Sequence, residues 1–251
     1  MSAPPSPAWL TPALVAACMM LFAVSVWSAW VLAGRRSALG LAGLALALGW
    51  FAEQMGSSQG WFFGRYHYPP VLGPEIGNVP VAIALMWFAL CWVGYAIACL
   101  ILWRRPTLPA PGGWWARGLT AWLAAMIVTA FALGADPYFV FVLKAWIMQK
   151  TDGGWFGETL QGFVGWMTVS FAIVLLFQAL FQPREPAGPD RGGTWAALAP
   201  LLVYGSGLGF QLLFGHPVET RAVAFFAMGL PVFVALVAWW QWTHPGKDFP
   251  A

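Results

Sequence analysis

Seven apolar segments, each close to the roughly 20 residues that an α-helix needs to cross a bilayer, fix what this chain can fold into. They fall near residues 11–33, 38–55, 79–103, 116–136, 158–181, 195–214 and 221–243. In hydrocarbon every backbone N–H and C=O must find a partner within the protein, and a helix supplies those partners inside one segment. The composition agrees. Of the 251 residues, 60% are hydrophobic and 8% charged, against roughly 25% charged in a soluble domain, and mean hydropathy is +0.70. The expected fold is all-α: a polytopic membrane helical bundle of about seven transmembrane helices. It forms a single domain over 1–251, with irregular or re-entrant loops on the outer side.

The basic residues give the segments a direction. Arg35, Arg36, Arg104, Arg105, Arg117, Arg184, Arg191 and Lys247 collect on one side of a seven-span chain, and Arg65, Lys144, Lys150 and Arg221 fall on the other. The positive-inside rule then places the N-terminus outside and the C-terminus in the cytoplasm of a bacterial cytoplasmic (inner) membrane. Six or eight spans break this alternation. The basic residues are too scattered for a nucleic-acid footprint, so no nucleic acid is expected as partner. The opening MSAPPSPAWLTP has no basic region ahead of its apolar run, and the first span is expected to be retained. Cys18, Cys91 and Cys99 lie within apolar runs and read as small buried hydrophobes. The glycines at 40, 43 and 49 read as close helix-packing positions. Tyr138–Met148 is apolar but too short to span, and is expected as an interfacial or re-entrant helix.

Two irregular stretches interrupt this pattern, 53–80 and 150–163, and both fall on the outer side as functional loop regions. The first, EQMGSSQGWFFGRYHYPPVLGPEIGNVP, is dense in glycine, proline and aromatics. Such backbone beside hydrocarbon is tolerated only where protein or water buries it. The second repeats a local pattern: QGWFFG over 59–64 is echoed by GGWFG over 153–157. Glu53, at the end of the second span, and Asp136, just before Pro137 in the fourth, are ionisable groups at span edges and hence site candidates by default. If the two share a dry pocket, one keeps its proton at neutral pH, which is what an acid catalyst needs. Arg65, Tyr66, His67 and Tyr68 read equally as hydrogen-bond partners for those carboxylates and as an interfacial anchor. Trp61, Phe62, Phe63, Trp155 and Phe156 suit either an interfacial belt or a groove for a long apolar ligand, whose aromatic faces also stabilise a passing cation.

No GxSxG, HExxH, Walker A or dinucleotide fingerprint occurs. His67, His216 and His244 are too dispersed for a metal site, and none is expected.

The two blocks together resemble a known family. Glu53, Gly56, Gly60, Phe63, Gly64, Tyr66, Tyr68, Leu72, Gly73, Val79 and Pro80 look like the signature of the membrane carotenoid-biosynthesis family that includes the CruF-type carotenoid 1,2-hydratases. Asp136, Pro137, Trp146, Gly154, Phe156, Gly157, Phe163, Gly165 and Trp166 look like its second block. The likeness covers about 45–182. It departs at Ala132 and Gly162, where family members carry Asp and Asn. The resemblance implies hydration of a terminal C=C at the open end of a long apolar polyene, with no cofactor, in contact with membrane lipids. Asp136 is then the expected acid and Glu53 the water-positioning group, tuned by Tyr66 and Arg65. Trp61, Phe63, His67, Tyr68, Trp146, Trp155, Phe156, Phe163 and Trp166 are the expected substrate-binding residues. Alternatives from other classes are an isoprenoid isomerase or cyclase, and a non-catalytic carotenoid-binding or pigment-assembly protein. The oligomeric state is not legible.

Overall fold

The computed structural model describes residues 9–110, 112–149, 155–156, 158–181 and 189–246. Within them lie seven long helices: α1 (Leu10–Ala33), α2 (Arg35–Gln59), α3 (Val81–Trp103), α4 (Trp114–Tyr138), α5 (Leu160–Leu180), α6 (Arg191–Phe214) and α7 (Glu219–Thr243). All seven are long and apolar enough to cross a membrane, so the chain is an all-α polytopic bundle. Four two-residue strands, β1 (Tyr66–His67), β2 (Glu75–Ile76), β3 (Val79–Pro80) and β4 (Ile147–Met148), occur outside the helices. The expected spans are recovered, with α2 reaching four residues beyond 55.

The bundle is organised around α3. Apolar character alone does not select it, since in lipid an all-apolar helix can face outward and the most apolar windows of α1 and α7 have mean hydropathies of 2.1 and 2.3 against 2.2 for α3. Packing decides: 78% of that window of α3 is buried, against 17% for α1 and 28% for α7, and every residue from 87 to 100 is buried. Glycines let α2 approach its neighbours. A Cβ on Gly49 would stand 2.5 Å from the Trp87 ring, and one on Gly40 2.4 Å from the Phe181 ring, whereas Gly43 faces open space and packs nothing.

The two ends of the bundle differ. One carries Arg35, Arg36, Arg104, Arg105, Arg117 and Arg191 and is called here the arginine end. The other, the loop end, carries the segments after α2 and α4. In the half toward the arginine end, buried polar groups join helices. Trp92 Nε1 donates to Ser28 Oγ at 3.0 Å, and Ser28 Oγ donates to the Ala196 carbonyl at 2.7 Å, which links α3, α1 and α6. Tyr95 Oη accepts from the Leu108 N–H at 2.9 Å, and Gln178 Nε2 donates to the Arg117 carbonyl at 3.1 Å. Such bonds hold helices together where lipid offers no hydrophobic driving force.

At the loop end the two irregular stretches fold onto each other. β1 pairs antiparallel with β4, Tyr66 opposite Met148 and His67 opposite Ile147. Thr159 caps α5 by accepting the Gly162 N–H at 2.8 Å and donates to the Phe63 carbonyl at 3.1 Å. Gln161 Nε2 donates to the Gly60 carbonyl at 3.0 Å.

Tyr138–Met148 is not a separate interfacial helix. α4 runs through Pro137 to Tyr138, continues as a π-helical turn over Phe139–Leu143, and stops at Lys144, whose φ is +49°. Proline removes the N–H that the carbonyl of Leu133, four residues earlier, needs. Trp155 Nε1 supplies the missing donor at 3.0 Å, so the helix passes through the proline intact.

The cysteines divide. Cys91 and Cys99 are fully buried, as expected, whereas Cys18 is half-buried on α1.

Candidate functional site

Glu53 ends up deep in the protein because α2 continues past it for almost two turns before the chain breaks at Gly60. It is 5% exposed, and a buried carboxylate is costly unless both oxygens are supplied with donors. They are. Trp87 Nε1 donates to Oε1 at 2.9 Å, Tyr68 Oη donates to Oε2 at 2.8 Å, and Tyr66 Oη also donates to Oε2. Tyr66 reaches inward because its strand pairing turns alternate side chains to opposite faces: Tyr66 is buried and His67 exposed. Burial and the Glu53 charge hold the Tyr66 and Tyr68 hydroxyls well above the ordinary tyrosine range, which keeps both as donors.

Asp136 faces the same space from α4. It is also 5% exposed, lies within electrostatic range of Glu158 and Glu53, and has the Trp166 side chain as hydrogen-bonding partner. Glu158, just before α5, is the third carboxylate. It is 6% exposed, and its Oε1 accepts from Trp146 Nε1 at 2.7 Å. Burial is the main cause that pushes the Glu158 carboxyl up to about 7; the Trp146 donor opposes the rise and the Glu53 charge adds to it.

All three carboxylates line one cavity of about 440 Å³, at the lower end of the roughly 300–1,000 Å³ typical of pockets that enclose a small ligand. Its other walls are mainly apolar and strongly aromatic, with Ser206 and Gln211 among them. Trp87 and Trp166 stack at 4.5 Å, and Phe63 lies 6.1 Å and 6.2 Å from them. Through Tyr66 the ring contacts continue to Tyr68, which meets Trp146 edge to face, and Trp146 stacks on Phe139 at 5.6 Å. The close approach of the first loop to α5 depends on Gly165, where a Cβ would stand 2.5 Å from the Phe62 carbonyl oxygen.

Among the residues expected from sequence, Glu53, Asp136, Tyr66, Phe63, Tyr68, Trp146 and Trp166 line this cavity. The others stand elsewhere. Arg65, Trp61 and His67 are exposed outside it, and Phe163 is half-buried beyond its wall. Trp155 serves the Leu133 carbonyl, with Phe156 packed against it at 4.6 Å. Gly154, Gly157 and most of 150–157 lie outside the described residues. Of the two departures from the family pattern, Gly162 forms part of the cavity wall, where a Cβ would be 3.7 Å from Glu158 Oε2, and Ala132 is buried outside it.

Sequence reasoning missed Glu158 and Trp87 as site residues. Glu158 carried one signal, as the acidic group directly before an apolar span. Trp87 carried none beyond the rule that a buried indole N–H needs an acceptor.

A family model described as "Carotenoid biosynthesis protein" matches residues 10–230, which takes in the cavity and six complete helices. Comparison with curated proteins and with solved structures gave no match.

Proposed function

The chain belongs to the carotenoid biosynthesis protein family, and from that premise we propose that it is a hydratase, adding water across the terminal trisubstituted C=C of an acyclic carotenoid end. The observation that carries this is the unequal treatment of three carboxylates in one apolar, aromatic-walled cavity. Glu53 accepts from three donors, the environment of an anion. Asp136 and Glu158 line the same cavity within electrostatic range of each other, and of two carboxyls so placed in a dry site one keeps its proton.

That proton passes to the less substituted alkene carbon, where the π pair forms the new C–H bond and leaves a tertiary cation. Trp87, Trp166 and Phe63 line the cavity in which that charge develops, and aromatic rings stabilise a cation. A water held at Glu53 gives a lone pair to the cation and forms the C–O bond. Its surplus proton goes to the Glu53 carboxylate and from there back to the Asp136–Glu158 pair. One water is added, no electrons are exchanged with a second substrate, and the protein ends in its starting state.

The same proposal sets the cavity toward the outer leaflet of a bacterial inner membrane, N-terminus outside, because the arginines gather at the opposite end of the bundle.

The test is expression in cells that accumulate lycopene and γ-carotene, followed by mass analysis of extracted pigment. A gain of one water with the wild type, absent with Glu53→Gln and with Asp136→Asn, is expected. Unchanged pigment mass with carotenoid co-purifying would replace the hydratase by a binding protein.

A further inference from the structure

The cavity does not close around its contents. On α1, Leu14, Ala17, Cys18 and Leu21 line it at helical spacing, one face of the half nearest the loop end. None of the α1 residues before Ser25 is buried, whereas Ser25, Ser28, Ala29, Leu32 and Ala33 are. The part of α1 that packs tightly against its neighbours is thus confined to the arginine end. Across from it, α6 contributes Ser206, Gly207, Phe210 and Gln211 to the cavity.

Four residues that line the cavity are also exposed on the side of the bundle: Ala17 and, beside it on α1, Met20, with Ser206 and Phe210 on α6. Met20 is 62% exposed and Phe210 38%. A side chain that both lines a cavity and faces outward marks where that cavity opens. At 1.5 Å per residue, Ala17 and Met20 stand about 10–15 Å along α1 from its start at Leu10, so the opening lies beside hydrocarbon.

We propose that the ligand enters sideways from the bilayer through a mouth between the loop-end halves of α1 and α6, rimmed by Ala17, Met20, Ser206 and Phe210, and that a linear polyene lies with one end at the carboxylates and its shaft across this rim. This rests on the ligand class proposed above. An extended C40 polyene is comparable in length to the hydrocarbon core, about 30 Å. The cavity of about 440 Å³ accommodates an end group, so the remaining chain leaves through the rim and stays in lipid. The α1 face is accordingly a binding surface for the shaft. Chemistry occurs at one end of the molecule per binding event.

The experiment uses the full chain in lipid nanodiscs, with lycopene as probe and tryptophan quenching as readout, since Trp87, Trp146 and Trp166 line the cavity. Ser206→Phe and the Ala17→Phe/Ser206→Phe pair fill the rim at exposed positions. Leu236→Phe, on an exposed site of α7 remote from the cavity, is the control. Lycopene binding is expected to weaken about tenfold or more in the rim variants and to stay at the wild-type level in the control. Equal binding by monodisperse wild-type and rim-filled protein overturns the mouth, as does a wild type that lycopene does not quench. If the pair fails to fold, the single Ser206→Phe change decides on the same criterion. Rim-dependent lycopene binding without water addition would remove the hydratase and leave the mouth standing. Undiminished water addition by the rim-filled variant would do the reverse.

Discussion

The two halves of this bundle use polar side chains in opposite ways. Toward the arginine end, Ser28, Trp92, Tyr95 and Gln178 spend their hydrogen bonds on helix joints, mostly on backbone carbonyls and N–H groups of another segment. Toward the loop end, Glu53, Asp136 and Glu158 turn into a cavity, and the groups that serve them are side chains: Trp87, Tyr66, Tyr68, Trp146 and Trp166. Backbone partners fix one geometry. Side-chain partners hold a charge while leaving space for a ligand. The contrast separates the part of the protein that keeps the helices in register from the part that can do chemistry.

Four measurements bear on that division. Removing a carboxylate should have the largest effect: Glu53→Gln and Asp136→Asn are each expected to lower conversion about 10²–10⁴-fold, the usual span for loss of general acid–base help, with protein yield close to wild type. A full-rate Glu53→Gln enzyme would erase the contrast between the halves. Trp87→Phe keeps the ring but withdraws one of three donors from Glu53. A hydrogen bond to a charged group contributes about 1.5–3 kcal/mol, which corresponds to a rate loss of about ten- to a hundredfold.

Glu158 gives a pH signature. Its carboxyl is pushed up to about 7, and only the protonated form donates. Conversion in membrane vesicles should therefore be level below about pH 7 and fall about tenfold per unit above it. Glu158→Gln should be slower and lose that limb; an unchanged profile in this variant would take Glu158 out of the proton path. The smallest effect on activity belongs to the packed half. Ser28→Ala leaves the Trp92 N–H and the Ala196 carbonyl without their partner. A cost of about 1–3 kcal/mol of stability is expected, visible as a lower melting temperature with conversion per folded molecule unaltered.

Some of this was legible early. Glu53 and Asp136 stood out because a charge at the edge of an apolar span is expensive, and both line the cavity. The aromatic motif was harder to sort. Tyr66 and His67 are adjacent and both expected at the site, and only the pairing of β1 with β4 sends one inward and the other out. Trp155 looked like a wall of the groove and instead satisfies Leu133, because the need created by Pro137 can be met by any donor that the fold brings near. Trp87 is one of 18 tryptophans, and nothing local distinguishes it from the others.

What the sequence determined by itself was the number of spans and the exceptional standing of the carboxylates at their edges. Both follow from the cost of placing backbone and side chains in hydrocarbon, a cost set residue by residue. The tertiary structure decided which polar groups meet. Glu53, Trp87, Asp136 and Glu158 come from three helices and a loop spread over more than a hundred residues, and their grouping depends on how far each helix runs before it turns. The passage of α4 through Pro137, the loop-end position of Glu158 and the opening between α1 and α6 are relations between segments, set by packing geometry that no single stretch of chain encodes.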